Sequence, residues 1–290
     1  LDKSYEQQDI IDFLKHGLLL ATFKVDGSSC SLVYNKSLQI AKTRGDGHYG
    51  ENISVSASFI NNIPKQIKFN KEIEIRGEIF CTVENFAKLS LEMVKRNLEK
   101  PKSLRNITAG LLGRKENQDL CQFLTFYAYD VVSDDFKTES EKINYLQELG
   151  FETPEFSLIK NETDIENFIE FTGNFMNEGD YQIDGAVFSV NEISVQKSLG
   201  ETKHHPRYKI AFKFEGEIKE TVINAIEWQI SRFGIYTPVA ILNPVEIKGA
   251  IINKVTLHNK QLVETYQIKI GDRIKLIRSG EVIPKFIGVV

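Results

Sequence analysis

Apolar and polar positions alternate with a period of two through much of this chain, the mark of half-buried strands. Residues 71–80 (Lys-Glu-Ile-Glu-Ile-Arg-Gly-Glu-Ile-Phe) alternate most cleanly and put Arg76 and Glu78 on one face. Residues 18–23 form an apolar run interrupted only by Thr22. They deliver Lys24 and Asp26 to one strand face and break at Gly27. Residues 28–35 and 38–43 predict a hairpin that turns at Asn35-Lys36-Ser37. Further strands are expected over 121–131, over 181–190 and over 208–214, the last with Lys209 and Lys213 on one face. A helical period appears over 5–15, where Ile10, Ile11 and Leu14 share a side, and over 83–98, 138–149 and 162–177. Beyond residue 216 the helical pattern vanishes. Short strands with Gly, Pro and Asn turns run to the end, as in a small β-barrel. The chain therefore divides near 216, into an α+β domain at 1–216 with antiparallel sheets and a β-barrel at 217–290.

Composition narrows this picture without redrawing it. At 290 residues, with 41% hydrophobic and 26% charged residues, the chain has enough material for two folded domains. No apolar run is long enough for a membrane span, and no signal peptide is present. The chain opens on Leu1, as expected of a piece of a longer protein. Cys30, Cys81 and Cys121 are odd in number and far apart, against a disulfide framework or a zinc site and in favour of a reducing compartment. That points to the cytoplasm. Net charge is −4, but its distribution is uneven. Acidic residues crowd 134–180, while cations crowd 95–115, 203–213 and 269–278. Such a division suits either a phosphate-backbone ligand or ordinary solvated helix faces.

The candidate chemistry lies where single charges interrupt the strands. By itself, a lysine closing a buried strand is a snorkelling surface charge or a working amine. Residues 43–51 wrap three glycines around Arg44, and their amides and guanidinium suit an anion. Residues 103–115 mix small residues with Arg105, Arg114 and Lys115. Ile183-Asp184-Gly185 repeats the opening grammar of strand, aspartate and glycine.

Taken in order, these motifs resemble the covalent nucleotidyltransferases, and most closely the NAD-dependent DNA ligases. The segments that carry the resemblance are Lys24-Val25-Asp26-Gly27, Thr43-Arg44-Gly45-Asp46-Gly47 with Gly50-Glu51, Arg76-Gly77-Glu78 and Ile183-Asp184-Gly185. Leu199-Gly200-Glu201-Thr202, Pro206-Arg207 and Ala211-Phe212-Lys213-Phe214 follow. The barrel adds Glu227-Trp228-Gln229, Thr256-Leu257-His258-Asn259 and Gly280-Glu281-Val282-Ile283-Pro284. The resemblance implies a nucleotidyltransferase (adenylylation) domain of ATP-grasp-like ligase type, followed by an OB-fold domain. It implies a DNA ligase of replication and repair that seals nicked duplex DNA through a lysyl-AMP intermediate, with NAD as AMP donor and magnesium as metal. Lys24 is then the nucleophile, with Asp26 and Lys213 as its catalytic neighbours. Lys213 is a cation of the kind that both lowers an amine's proton affinity and neutralises phosphoryl charge. Thr22, Gly27, Arg44, Glu78, Asp184 and Ser189 join Lys24 and Lys213 around the nucleotide. Glu78 and Asp184 are the candidate ribose or magnesium ligands, and Arg105, Arg114, Arg207 and Arg232 the candidate DNA contacts.

The chain departs from that family at Thr22, where the family carries glutamate, and at Ser189, where it carries lysine. Both of those residues contact the adenine edge, so a repacked base pocket is expected. Met176 stands near the place of an upstream arginine, and Ser103-Leu104-Arg105-Asn106 replaces Asn-Pro-Arg-Asn, with the following arginine displaced to Arg114. The family's module that grips the nicotinamide half of NAD precedes this region, and only a short helix stands before Lys24. A separate upstream module or subunit is one expected source of that grip. Two other readings stand beside the ligase: an ATP-using polynucleotide ligase acting on DNA or RNA, and a catalytically idle nucleic-acid clamp.

Overall fold

The period-two segments become strands in the computed structural model, which describes every residue except 46–48, 70, 102, 134, 203–204, 215–216, 231–235, 248–249 and 280–282. Arg232, Asp46, Gly47, and Gly280 to Val282 therefore lie outside the described residues. The chain falls into two units, Leu1–Lys213 and Phe214–Val290.

The first unit opens with β1 (Asp2–Ser4), α1 (Gln7–Phe13), β2 (Leu19–Val25), β3 (Ser28–Asn35) and β4 (Ser37–Thr43). It continues with α2 (Ser54–Ser58), β5 (Glu72–Phe80), α3 (Val83–Lys95), α4 (Leu104–Leu112) and β6 (Thr125–Val132). It closes with α5 (Glu139–Glu148), β7 (Phe156–Ile159), α6 (Glu162–Glu178), β8 (Ile183–Val190), α7 (Ile193–Leu199) and β9 (Lys209–Phe212). One sheet runs β4-β3-β5-β6 and the other β1-β9-β8-β2-β7. Every pairing is antiparallel except β1 with β9.

Local chemistry accounts for the element ends. Lys36 takes a positive φ of 65° in the tight β3–β4 turn. Thr138 and Glu141 form a reciprocal capping box at the start of α5. Thr82 and Asn161 cap α3 and α6 through their side-chain oxygens. Strand β6 starts later than expected, because Gln118–Phe123 form a 3₁₀ turn that buries Leu120 and Cys121. The core of this unit gathers Leu32, Tyr34, Ile75, Ile79, Phe126 and Val131 from the first sheet with Leu89, Leu111 and Leu146 from the helices. All three cysteines are buried and free.

The second unit comprises β10 (Glu217–Ile230), β11 (Tyr236–Ile247), β12 (Ala250–Thr256), α8 (Lys260–Thr265), β13 (Arg273–Ser279) and β14 (Ile283–Val289). Its sheet order is β12-β11-β10-β13-β14. Strand β10 pairs with β13 through Val222 and with β11 from Ile223, its register shifting between Ile223 and Ala225. Ile223, Leu242, Ile247, Leu257, Ile274 and Leu276 form its core. One expectation is corrected here: a helix is present, started by the Asn259 side chain accepting from the Leu262 N–H at 2.9 Å. Among the described residues β12 and β14 end the sheet order, with no hydrogen-bonded pairing between them. Among the described residues, no helix is long and apolar enough to cross a membrane.

Candidate active site

Strand β2 has two working faces. On one, Phe23 packs against Phe168, Phe171 and Phe175 of α6, with ring centroids 5.7, 5.1 and 4.8 Å away. Aromatic burial of this kind anchors the strand firmly. On the other face, Leu20, Thr22 and Lys24 line a cavity of about 830 Å³. Asp26, Gly27, Arg44, Glu78, Asp184 and Ser189 line the same cavity. The structure thus brings together most of the residues expected around a nucleotide.

Two lysines converge on one carboxylate. Lys24 Nζ stands 2.8 Å from Asp184 Oδ1, and Lys213 Nζ stands 2.8 Å from Asp184 Oδ2. Burial alone would raise the Asp184 carboxyl, but Lys24 and Lys213 outweigh it and hold it below its ordinary value. Gly185 makes the meeting possible. Its φ of +137° is unsuited to other residues, and a Cβ there would collide with the Phe212 carbonyl oxygen. Strand β9 ends at Phe212, so Lys213 lies beyond it and turns to Asp184, whereas Lys209 reaches Glu139. Their shared strand face is therefore not realised. Lys213 is not among the residues lining the cavity.

Gly27 serves the other sheet in the same way. A Cβ at Gly27 would strike the carbonyl oxygen of Ile79, so only glycine lets β5 pass this close. That approach sets Glu78 beside Lys24 and Asp26. Burial pushes the Glu78 carboxyl up to about 8; Lys24 and the Gly27 N–H oppose the rise, and Asp26 and Asp184 add to it. The folded state thus holds a proton that the unfolded chain releases near its ordinary carboxyl value. Stability falls as pH climbs from that value through about 8. The effect is bounded at about 5 kcal/mol. Glu78→Gln is expected to be more stable than the parent at pH 8 and closely matched at pH 5. Thermal melts at both values, without nucleotide or metal, check this; parallel pH profiles for the two proteins would remove the assignment.

The remaining expected residues lie elsewhere. Arg105 is in α4, Arg114 follows it and is half-buried, and Arg207 is exposed. Among the described residues no group of three or more His, Cys, Asp or Glu side chains is arranged to hold a metal. Glu78 and Asp184 are two carboxylates, which is the number magnesium commonly takes from protein beside phosphate oxygens and water. Asp184 is ionised but already engaged by both lysines, and Glu78 would have to release its proton to take a cation.

Among the cavity-lining residues that sequence reasoning did not assign to the site are Tyr129, Asp130, Glu139 and Lys209, the last named there only as a strand cation. Tyr129 was legible only as a strand aromatic. Glu139 sits at a helix start, the usual place for a solvated acid, and nothing in the spacing signals that it is buried.

Comparison with known proteins follows this geometry. A family model described as the NAD-dependent DNA ligase adenylation domain matches residues 1–217, and one described as the NAD-dependent DNA ligase OB-fold domain matches residues 220–290. A DNA ligase of Petrotoga mobilis is 36% identical over 308 aligned positions, covering 100% of this chain and 46% of that protein. A DNA ligase of Nautilia profundicola is 38% identical, covering 90% of this chain and 41% of that protein. The chain thus spans less than half the length of these relatives. A solved structure described as a Lig E DNA ligase with a minimal DNA-binding scaffold superposes with a TM-score of 0.61 at 15% identity, covering 100% of this chain and 98% of that one, and so shares its fold.

Proposed function

We propose, proceeding from the fact that this chain belongs to the NAD-dependent DNA ligase family, that residues 1–290 carry the adenylyl-transferring and nick-sealing core of a DNA ligase. The observation that carries this reading is the convergence of Lys24 and Lys213 on Asp184 beside a nucleotide-sized cavity. The boundary near 216 separates a nucleotidyltransferase domain from an OB-fold domain.

Lys24 is the nucleophile. Its nitrogen attacks the α-phosphorus of NAD; the phosphorus–nitrogen bond forms as the bond to nicotinamide mononucleotide breaks, and the amine loses a proton. Asp184, held below its ordinary value by two ammonium groups, is a poor base, so it orients the amine rather than deprotonating it. Lys213 supplies fixed positive charge close to the developing phosphoryl charge. An oxygen of the nick's 5′-phosphate then takes AMP from Lys24. The 3′-hydroxyl finally attacks that phosphate, closing the strand and releasing AMP. Thr22, Gly27, Arg44 and Ser189 line the AMP pocket, and Asp26 steadies the turn after Lys24. Glu78, with Asp184 behind it, would hold magnesium, which neutralises phosphoryl charge when bound. The nicotinamide half is gripped by a separate upstream module or subunit. The protein works in the cytoplasm, with a nucleoid, phage or viral setting equally compatible. The experiment that tests this reading is intact mass after exposure to an AMP donor, with one added AMP mapped to Lys24.

DNA is held through its backbone by Arg105, Arg114, Arg207 and Arg232, with further cations in the second unit. Affinity for nicked duplex is expected to be independent of sequence and to fall at least about tenfold between 50 and 200 mM salt. Fluorescence anisotropy with two unrelated nicked duplexes measures both properties. Binding that hardly responds to salt would contradict the backbone reading.

A further inference from the structure

A buried ionic network that the ligation chemistry does not use occupies another stretch of the cavity wall. Glu139, at the start of α5, has a side chain only 3% exposed. Its Oε1 accepts from Gln196 Nε2 at 2.9 Å and lies 3.6 Å from Lys142 Nζ. Its Oε2 accepts from Lys209 Nζ at 3.3 Å. Lys142 in turn donates to Asp130 Oδ1 at 3.0 Å. Burying one charge and half-burying its three ionic neighbours is costly even when they are paired, and hydrophobic replacements of similar volume often stabilise as well. Packing alone is therefore a weak reason for this arrangement.

Lys209 has donors to spare. An ammonium carries three N–H groups, and among the described residues Lys209 donates to Glu139 alone. Burial opposes its charge, but Glu139 and Asp130 outweigh that and keep it an ammonium. Its position is set by register. Leu20 pairs with Ser189 across β2 and β8, and Ser189 pairs with Lys209 across β8 and β9. Leu20 precedes Lys24 by four residues, roughly 13 Å along a strand. Lys209 therefore lines the same cavity as Lys24 at about that distance along the sheet, which is within the span of a nucleotide. Thr22 and Ser189, on the same wall, are uncharged, although they stand where the family carries a charge pair. Tyr129 lines the cavity from the other sheet, its hydroxyl 2.8 Å from Ser29 Oγ, and offers a ring for a base to stack on.

We infer that Lys209, held in place by Glu139, reads the base, donating a hydrogen bond to N1 of adenine, and so determines the specificity of the pocket for its nucleotide. The inference rests on the reading of this cavity as the AMP site. It explains how a pocket lacking charge at Thr22 and Ser189 still recognises adenine: the cation has moved one strand over, to the register partner of Ser189.

The test uses the 290-residue chain and calorimetric titration with AMP, with 1-deaza-AMP (which lacks the N1 acceptor) and with ribose 5-phosphate. The unsubstituted chain is expected to prefer AMP over 1-deaza-AMP by at least about tenfold, as for a hydrogen bond from a charged donor. Lys209→Met is expected to abolish that preference and leave ribose 5-phosphate binding unchanged. Equal affinity of the unsubstituted chain for both nucleotides overturns the inference. So does a preference that survives in Lys209→Met, or an equal loss for all three ligands, which marks a structural role. Should Lys209→Met fail to fold, the comparison in the unsubstituted chain decides. The Lys24 assignment is read separately by mass: an adduct on Lys24 without N1 preference refutes base reading alone, and N1 preference without an adduct refutes the nucleophile alone.

Discussion

Replacing Lys24 by alanine is expected to abolish covalent AMP on this protein, a loss of at least about a thousandfold for removal of a nucleophile. The geometry makes the experiment clean. Lys24 is 28% exposed, so its truncation opens little core, and Asp184 keeps Lys213 at 2.8 Å as a counter-charge. The fold should therefore survive, which circular dichroism and a melt would check. Lys24→Arg separates charge from nucleophilicity: it keeps a cation beside Asp184 but no attacking amine, and it too should carry no AMP. The measurement is intact mass followed by peptide mapping, with NAD plus an upstream nicotinamide-binding module, with ATP, and with a pre-adenylylated nick run in reverse. An adduct that persists in Lys24→Ala, for instance on Lys213, would remove Lys24 from the mechanism.

The second large effect concerns what residues 1–290 do unaided. They are expected to seal a nick that already carries AMP, given magnesium, and to seal a plain nick with NAD at least about a hundredfold more slowly. The two reactions ask different things of the protein. Strand closure needs the AMP pocket, the cation pair and a grip on the duplex, all of which the proposed reading assigns to this chain. Reaction with NAD also needs the leaving nicotinamide mononucleotide aligned opposite Lys24, and alignment of that kind contributes several orders of magnitude. We assign that alignment to a module outside these residues. Adding such a module, fused or as a partner, should restore the NAD reaction. A labelled nick with and without pre-attached AMP, resolved on a denaturing gel, reports both activities. Efficient sealing of the plain nick with NAD by the chain alone would place nicotinamide recognition inside residues 1–290.

Much of the cavity was legible beforehand because its residues sit at strand ends, where alternation assigns faces without any knowledge of packing. Lys24 and Asp26 follow from the period of the first long strand and Glu78 from that of β5, whereas Thr22 and Ser189 entered only through the family resemblance. The short helices α2, α4, α7 and α8 were not legible. A run of five to nine residues rarely shows a helical period, α1 being legible because the 3₁₀ turn at Leu14–His16 continues its apolar side, and α8 depends on a single side-chain cap at Asn259. The apparent common face of Lys209 and Lys213 failed because a strand's period holds only while the strand lasts, and β9 stops at Phe212.

What the sequence determined by itself was local. The period of two set which side chains face together, and the glycines at 27 and 185 marked breaks beside the charged residues; that backbones approach closely there was decided by the fold. The ordered motifs named the chemistry. What only the tertiary structure decided was which distant groups share a charge environment. Asp184 lies 160 positions from Lys24, and Glu139 lies 70 from Lys209. Neither pairing follows from any local period, because sheet order and helix docking bring them together. Electrostatic effects depend on separation in space and on burial. The proton on Glu78, the ionised state of Asp184 and the placement of a half-buried cation at Lys209 are accordingly products of the fold.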